Sequence, residues 1–198
     1  MISIILPSIG RPEQLARSIM GITMTISQVP AEIIVVVDDD MASAKAVENL
    51  PVTVKTRERL GPITAWNYGA SFANGDIFVA ASDDFEWHDG WLTHALSALK
   101  TLPDSEGMVG FNDMHHDGNV LATNFLVTRK YAALTWGGVI YCPHYKGFFC
   151  DNEAIRRAQR DRRYIWAAEA ITEHRHWSNH KAVKDVIYSA RDQGWGQD

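Results

Sequence analysis

Cysteine is scarce in this 198-residue chain, with Cys142 and Cys150 the whole supply. They make no CxxC pair and belong to no His/Cys array at zinc spacing. That excludes a disulfide framework or zinc module and points to reduced thiols in a cytoplasmic protein. Long apolar runs are missing too: no window approaches the roughly 18 uninterrupted apolar residues of a membrane-spanning helix. The opening MISIILPSIGRP lacks basic residues ahead of its short apolar run and is broken by Pro7, so it reads as a first strand and not as a leader. Positive charge is not in excess. At a net −5 the chain offers no generic hold on nucleic acid or an anionic membrane. Repeats, low-complexity tracts and linkers are absent, and the length suits one domain over 1–198.

What is present is an alternation of strand and helix signals. SIILP is followed by RPEQLARSIMGI, where Pro12 opens a helix and Leu15, Ile19 and Ile22 recur on one face. EIIVVVDDD is apolar without alternation, as is Ile77 to Ala81, and strands of that kind are covered on both faces. Helices are expected over 42–50, 63–73, 89–102, the stretch after Cys150, and 179–191. Extended segments are expected at VTVKTR, GMVGFND, VLATNFLVT and YIWAAEAITEHRHW. The order predicts an α/β fold, a three-layer α/β/α sandwich with a mixed, mainly parallel central sheet.

Ligands of open α/β sheets sit beyond the carboxyl ends of the strands. Three such ends carry informative residues: Pro7-Ser8, Asp38-Asp39-Asp40 and Asp83-Asp84. Carboxylates gathered at one rim repel unless a cation or hydroxyl donors lie between them. The usual phosphate cradles are missing, since no GxGxxG follows the first strand and no GxxxxGK[ST] occurs anywhere. A diphosphate would therefore need a divalent cation, Mn2+ or Mg2+, as its bridge to this rim.

Taken in order, SIILPSIGRPEQLARSI, EIIVVVDDD, GPITAWNYGASFANGDIFVAASDDFEWHDGWL, FFCDNEAIRRAQR and AITEHRH resemble the nucleotide-sugar glycosyltransferases of family 2, which have the GT-A fold. The resemblance implies a donor-binding half over 1–100 and an acceptor-binding half over 101–198. It implies a nucleoside-diphosphate sugar, a UDP-sugar first among them, and a glycan or other hydroxyl acceptor. Pro7, Ser8 and Ile9 would lie against the base, with Arg11 just beyond, and Asp38 or Asp39 would bond the heterocycle. Asn67 and Gly69 match the family's N.G. Ser82-Asp83-Asp84 stands at the DxD motif, with Asp84 for the metal and Asp83 for the ribose. His174, with His176 in reserve, would complete the metal shell, and Asp151 holds the place of the general base.

The chain departs from the pattern at Ala81, where an aspartate is commoner, and at Gly61-Pro62, near the usual place of an arginine that meets the pyrophosphate. Arg59 or Arg57 would have to substitute. Asp151 also reads as a helix cap, shared with Asn152. The arginines at 156, 157, 160, 162 and 163 read as a solvated helix face, or else as a hold on an anionic acceptor. Trp136 and Trp166 are available to stack on a sugar. His115 and His116 look like turn residues. Two rival readings remain: a haloacid-dehalogenase-like phosphatase using VVVDDDMAS, and a nucleotide-sugar-binding module without turnover.

Overall fold

The computed structural model describes residues 1–26, 29–59 and 61–193, with side chains as far as 190. Its strands are β1 (Ile2–Ser8), β2 (Ala31–Asp38), β3 (Thr53–Arg57), β4 (Ile77–Ala80), β5 (Phe85–Trp87), β6 (Met108–Asn112), β7 (Phe125–Thr128) and β8 (Tyr164–His174). Its helices are α1 (Pro12–Thr25), α2 (Met41–Ala46), α3 (Pro62–Ala70), α4 (Trp91–Leu99), α5 (Arg129–Trp136), α6 (Cys150–Arg160) and α7 (Val186–Gln193). One sheet runs β3-β2-β1-β4-β7-β6-β8-β5. The first four strands are parallel, β7 is antiparallel to both β4 and β6, β8 is parallel to β6, and β5 closes the edge antiparallel to β8.

The unalternating apolar strands are explained by the layers. In β1, Ile2, Ile4 and Leu6 point to the side packed by α1 and α4, while Ile5 points to the side packed by α3, α5 and α6. In β2, Ile33, Val35 and Val37 divide in the same way from Ile34 and Val36. Period-2 geometry with both faces covered leaves little room for polar residues before the strand ends, and Ser3, buried within β1, is accommodated by donating to Glu32 of β2 at 2.6 Å. The sheet is continuous across the midpoint of the chain, because β4 pairs with β7.

Some elements differ from the sequence expectation. The helix expected over 42–50 ends at Ala46, because Val47 leaves helical geometry (φ −118°, ψ 4°) and turns its side chain into the core. The helix expected over 179–191 begins only at Val186. Strand β5 and helix α5 were not anticipated. β5 has three residues, too few for a periodic signal, and α5 has a weak apolar face but a clear cap, Thr128 Oγ1 accepting from the Tyr131 N–H. Between β6 and β8 the register jumps from Phe111↔Ala167 to Asn112↔Ile171, so residues 168–170 bulge out. Asn112 holds that bulge with a bond from its side-chain amide to the Ala168 carbonyl at 2.8 Å.

Helix α3 approaches the sheet closely through Gly69. A Cβ there would lie 2.4 Å from Ile5 Cγ2 and 2.9 Å from Val36 Cγ2. Gly69→Val is therefore expected to overpack this contact and lower stability by about 1–3 kcal/mol, read as a reduced denaturant midpoint.

Candidate active site

Strand β4 delivers Asp83 and Asp84 to the rim expected from the sequence, and both are buried, at 7% and 8% exposure. The Ser8 hydroxyl, at the end of β1, donates to Asp83 Oδ2 at 2.6 Å. Arg11, just before α1, is itself buried and places Nη1 3.2 Å from Asp83 Oδ1 and 3.6 Å from Asp84 Oδ2. His174, at the end of β8, brings Nε2 to 3.4 Å from Asp84 Oδ2. Its ring is stacked on Phe85 at a centroid distance of 4.4 Å. Phe85 and His174 are partners in the β5–β8 ladder, so the sheet sets the orientation of the imidazole.

The two carboxylates are unequal. Burial and the charge of Asp84 push the Asp83 carboxyl above the usual carboxylate range, against the pull of Arg11 and Ser8. Burial would raise Asp84 as well, but His174, Arg11 and the Tyr188 hydroxyl hold it well below the usual carboxylate range. Asp84 is thus the committed anion of the pair.

No sequence signal pointed to the cover over this rim. Tyr188 of α7 is 2% exposed and its hydroxyl donates to Asp84 Oδ2 at 2.8 Å. Asp185, one residue ahead of α7, accepts from Arg11 Nε at 2.8 Å and Nη2 at 3.1 Å. The Arg11 guanidinium also lies 4.0 Å from the centroid of the Tyr188 ring. These partners are more than 100 residues apart in sequence, in a segment whose composition reads only as a polar helix, and no local pattern could have paired them.

The other expected residues divide. Pro7 and Ile9 flank Ser8 and are half-buried. Asp38 is buried and faces Arg57 Nε at 3.2 Å, whereas Asp39 is exposed with φ 49°. Asp40 caps α2, accepting from the Ser43 N–H, and also accepts the Gly10 N–H at 2.6 Å. Asn67 spends both ends of its amide on the loop at 140–141, accepting from the Ile140 and Tyr141 N–H groups and donating to the Tyr141 carbonyl. Its visible role is to fix that loop. Arg59 is exposed. His176 faces Ser178, its Nδ1 2.7 Å from the Ser178 Oγ, and its ring lies edge-on to Tyr188 at 4.5 Å.

Asp151 is not a helix cap. The cap position of α6 is Phe149, at φ 65°, so Asp151 lies inside the first turn. Its region is tied to the rim through neighbours: Trp66 donates its indole N–H to the Ala81 carbonyl at 3.0 Å, and the Trp66 ring packs on Tyr141 at 5.1 Å. Tyr141 in turn feels the charge of Asp151. Along the outer side of α6 lies a groove of about 540 Å³, lined by Tyr145, Phe149, Asn152, Glu153, Arg156, Arg157 and Arg160. Arg157 is paired with Glu153 at 2.7 Å and Arg160 with Asp161 at 3.0 Å, as in a solvated charged helix. Of the two tryptophans, Trp166 packs over Gly118 and Trp136 lies beneath Arg157, 5.4 Å from its guanidinium.

The donor set at the rim suits a divalent cation. An ionised carboxylate and an imidazole 3.4 Å apart have about the spacing of two ligands on one ion at ~2.0–2.2 Å.

Residues 3–157 match the family described as glycosyl transferase family 2, and the chain belongs to that family. No curated protein sequence matches it. Among solved structures, a mannosyltransferase from Pyrobaculum calidifontis in complex with GDP-Man and Mn2+ aligns with a TM-score of 0.67 at 16% identity over 87% of this chain. Glucosyl-3-phosphoglycerate synthase from Mycobacterium tuberculosis, with Mn2+, UDP and glucosyl-3-phosphoglycerate, aligns at 0.66 and 15% over 89%. Mannosyl-3-phosphoglycerate synthase from Rubrobacter xylanophilus aligns at 0.67 and 15% over 100%. The chain spans 56%, 72% and 76% of these three proteins respectively. At such identities the likeness establishes the GT-A fold, as expected from the sequence.

Tyr188→Phe keeps the buried ring and removes one donor from a charged carboxylate. It is expected to lower stability by about 1.5–3 kcal/mol, measured by urea denaturation.

Proposed function

We propose that this chain is a metal-dependent, inverting glycosyltransferase that moves a sugar from a nucleoside-diphosphate sugar, a UDP-sugar in the first instance, to an acceptor hydroxyl. The observation that carries the reading is the buried pair Asp83 and Asp84 at the end of β4, with His174 against the more strongly ionised member. The GDP-Man, UDP and Mn2+ named with the similar structures support it.

Each group of the chain has a place in that chemistry. Pro7 and Ile9 form the bed for the base, and exposed Asp39 is the acceptor of its hydrogen bonds. Asp83, the carboxylate of raised pKa beside Ser8, suits a ribose hydroxyl. Asp84 and His174 hold the cation, which when bound neutralises the charge released on the leaving diphosphate. Arg11 is the buried cation closest to the same place. Asp151 takes the proton from the acceptor hydroxyl as it attacks the anomeric carbon from the opposite face, and it keeps its geometry in the first turn of α6. The arginine-lined groove beside α6 favours an acceptor that carries negative charge.

Binding of UDP should depend on manganese in calorimetry, and Asp84→Ala should abolish most of that dependence together with the affinity. Equal affinity in chelator and in manganese would overturn the metal assignment.

Asp151→Asn preserves volume and the first turn. Single-turnover transfer should slow on the order of 10²–10⁴-fold while donor affinity and melting temperature stay near those of the unaltered protein. Near-normal transfer by the folded variant would move the base elsewhere.

A further inference from the structure

The turn after β6 holds two side chains, Asp113 and His116, that the donor site does not use. Asp113 is 1% exposed, and its Oδ1 accepts the backbone N–H groups of His115 at 2.9 Å and His116 at 2.7 Å. Its Oδ2 accepts the Thr123 hydroxyl at 2.9 Å and lies 2.7 Å from His116 Nδ1. The carboxylate is therefore held in one orientation by groups that leave it ionised. Burial works against that charge, but the bonds from His116 and the turn bring the pKa down to about 2.

Across from this turn stands His174. Its backbone N–H donates to the Asp113 carbonyl at 2.9 Å, so β8 carries the imidazole at a fixed separation from the turn. One carboxylate oxygen or ring nitrogen from each of Asp113, His116 and His174 lies within 4.8 Å of the other two. Only 13% of the His174 side chain is exposed, and its Nε2 faces Asp84. Its Nδ1 is buried and makes no hydrogen bond among the described residues. A buried ring nitrogen without a partner is uncommon and asks for a ligand.

We propose that Asp113, His116 and His174 form a second divalent-cation site, which shares only His174 with the Asp84 rim. Two imidazoles and one carboxylate select zinc, cobalt or nickel over magnesium, whose preferred ligands are oxygens. The arrangement has the outer support expected of such a centre. A ligating histidine ordinarily gives its other N–H to a carboxylate, and while the donor site holds no cation His174 has Asp84 in that position. Phe85 fixes the plane of the same ring, and Thr123 with two backbone N–H groups fixes Asp113. Cation binding would replace the hydrogen bond now shared by His116 and Asp113. His115 stands outside the set, with its Nε2 3.3 Å from the Ser178 hydroxyl.

The test is titration of the metal-free protein with cobalt(II) chloride, without nucleotide, followed by visible absorption and calorimetry. The unaltered protein should take up one equivalent with the bands of a nitrogen-ligated ion. His116→Ala, a change at a partly exposed turn residue remote from Asp84's own contacts, should bind at least about tenfold more weakly. Melting curves establish that the variant is folded. If His116→Ala loses its transition, His116→Gln is read in the same way. Equal affinity in the unaltered protein and the folded variant would overturn the proposal and assign the cobalt to Asp84 and His174. Absence of saturable uptake by the unaltered protein would overturn it as well.

Discussion

Two carboxylates from adjacent residues are buried at the end of a central strand, and neither can be left without a counter-charge. Removing an ion from water costs several kcal/mol even after relaxation, so everything around Asp83 and Asp84 is arranged to supply compensation. Ser8 from β1, Arg11 from the turn into α1, His174 from β8 and Tyr188 from α7 reach the pair from four parts of the chain. The same demand draws in Asp185, because the single guanidinium of Arg11 is shared among three carboxylates. Seen this way, the C-terminal segment docks where it does because the rim still has hydrogen-bonding capacity to fill.

Much of the fold was legible because its first half is built from strong local signals. Strands β1, β2 and β4 announce themselves as unbroken apolar runs ending in polar residues, and α1 by Pro12 with Leu15, Ile19 and Ile22 on one face. The second half relies on partners instead of patterns. β7 inserts antiparallel beside β4, and β5 exists as a strand only because β8 is there to pair with it. The start of α6 was misjudged by its richest capping residues: Asp151 and Asn152 are good caps, yet Phe149 occupies the cap position with a left-handed backbone that its type gives no hint of.

The site shows a similar division. Residues at strand ends were legible, since topology alone sends Ser8, Asp83 and Asp84 to one rim. Whether a residue offers its side chain to a ligand or spends it on the fold was not. Asn67 and Gly69 lie together in the family pattern, but the first secures the loop at 140–141 and the second lets α3 approach Ile5 and Val36. Among three successive aspartates, Asp38 answers Arg57, Asp40 caps α2, and only Asp39 is exposed. Asp113 was invisible for the opposite reason: NDMHHDG reads as an ordinary polar turn until β8 places His174 beside it.

The bulge at 168–170 governs which way that histidine points. In a strand, side chains alternate between faces, so an odd number of residues looped out of the ladder puts every later residue on the face opposite to the one unbroken alternation would give it. Up to Ala167 the partner of Phe111 lies on the same face as Phe111. After the three extra residues, Thr172 and His174 return to that face opposite Trp87 and Phe85. Had residues 168–170 stayed in the ladder, unbroken alternation would have put Glu173 on that side and His174 on the other. The histidine's place beside Asp84 is thus a matter of parity. Drawing the bulge straight would preserve every amino acid of the constellation and still take it apart.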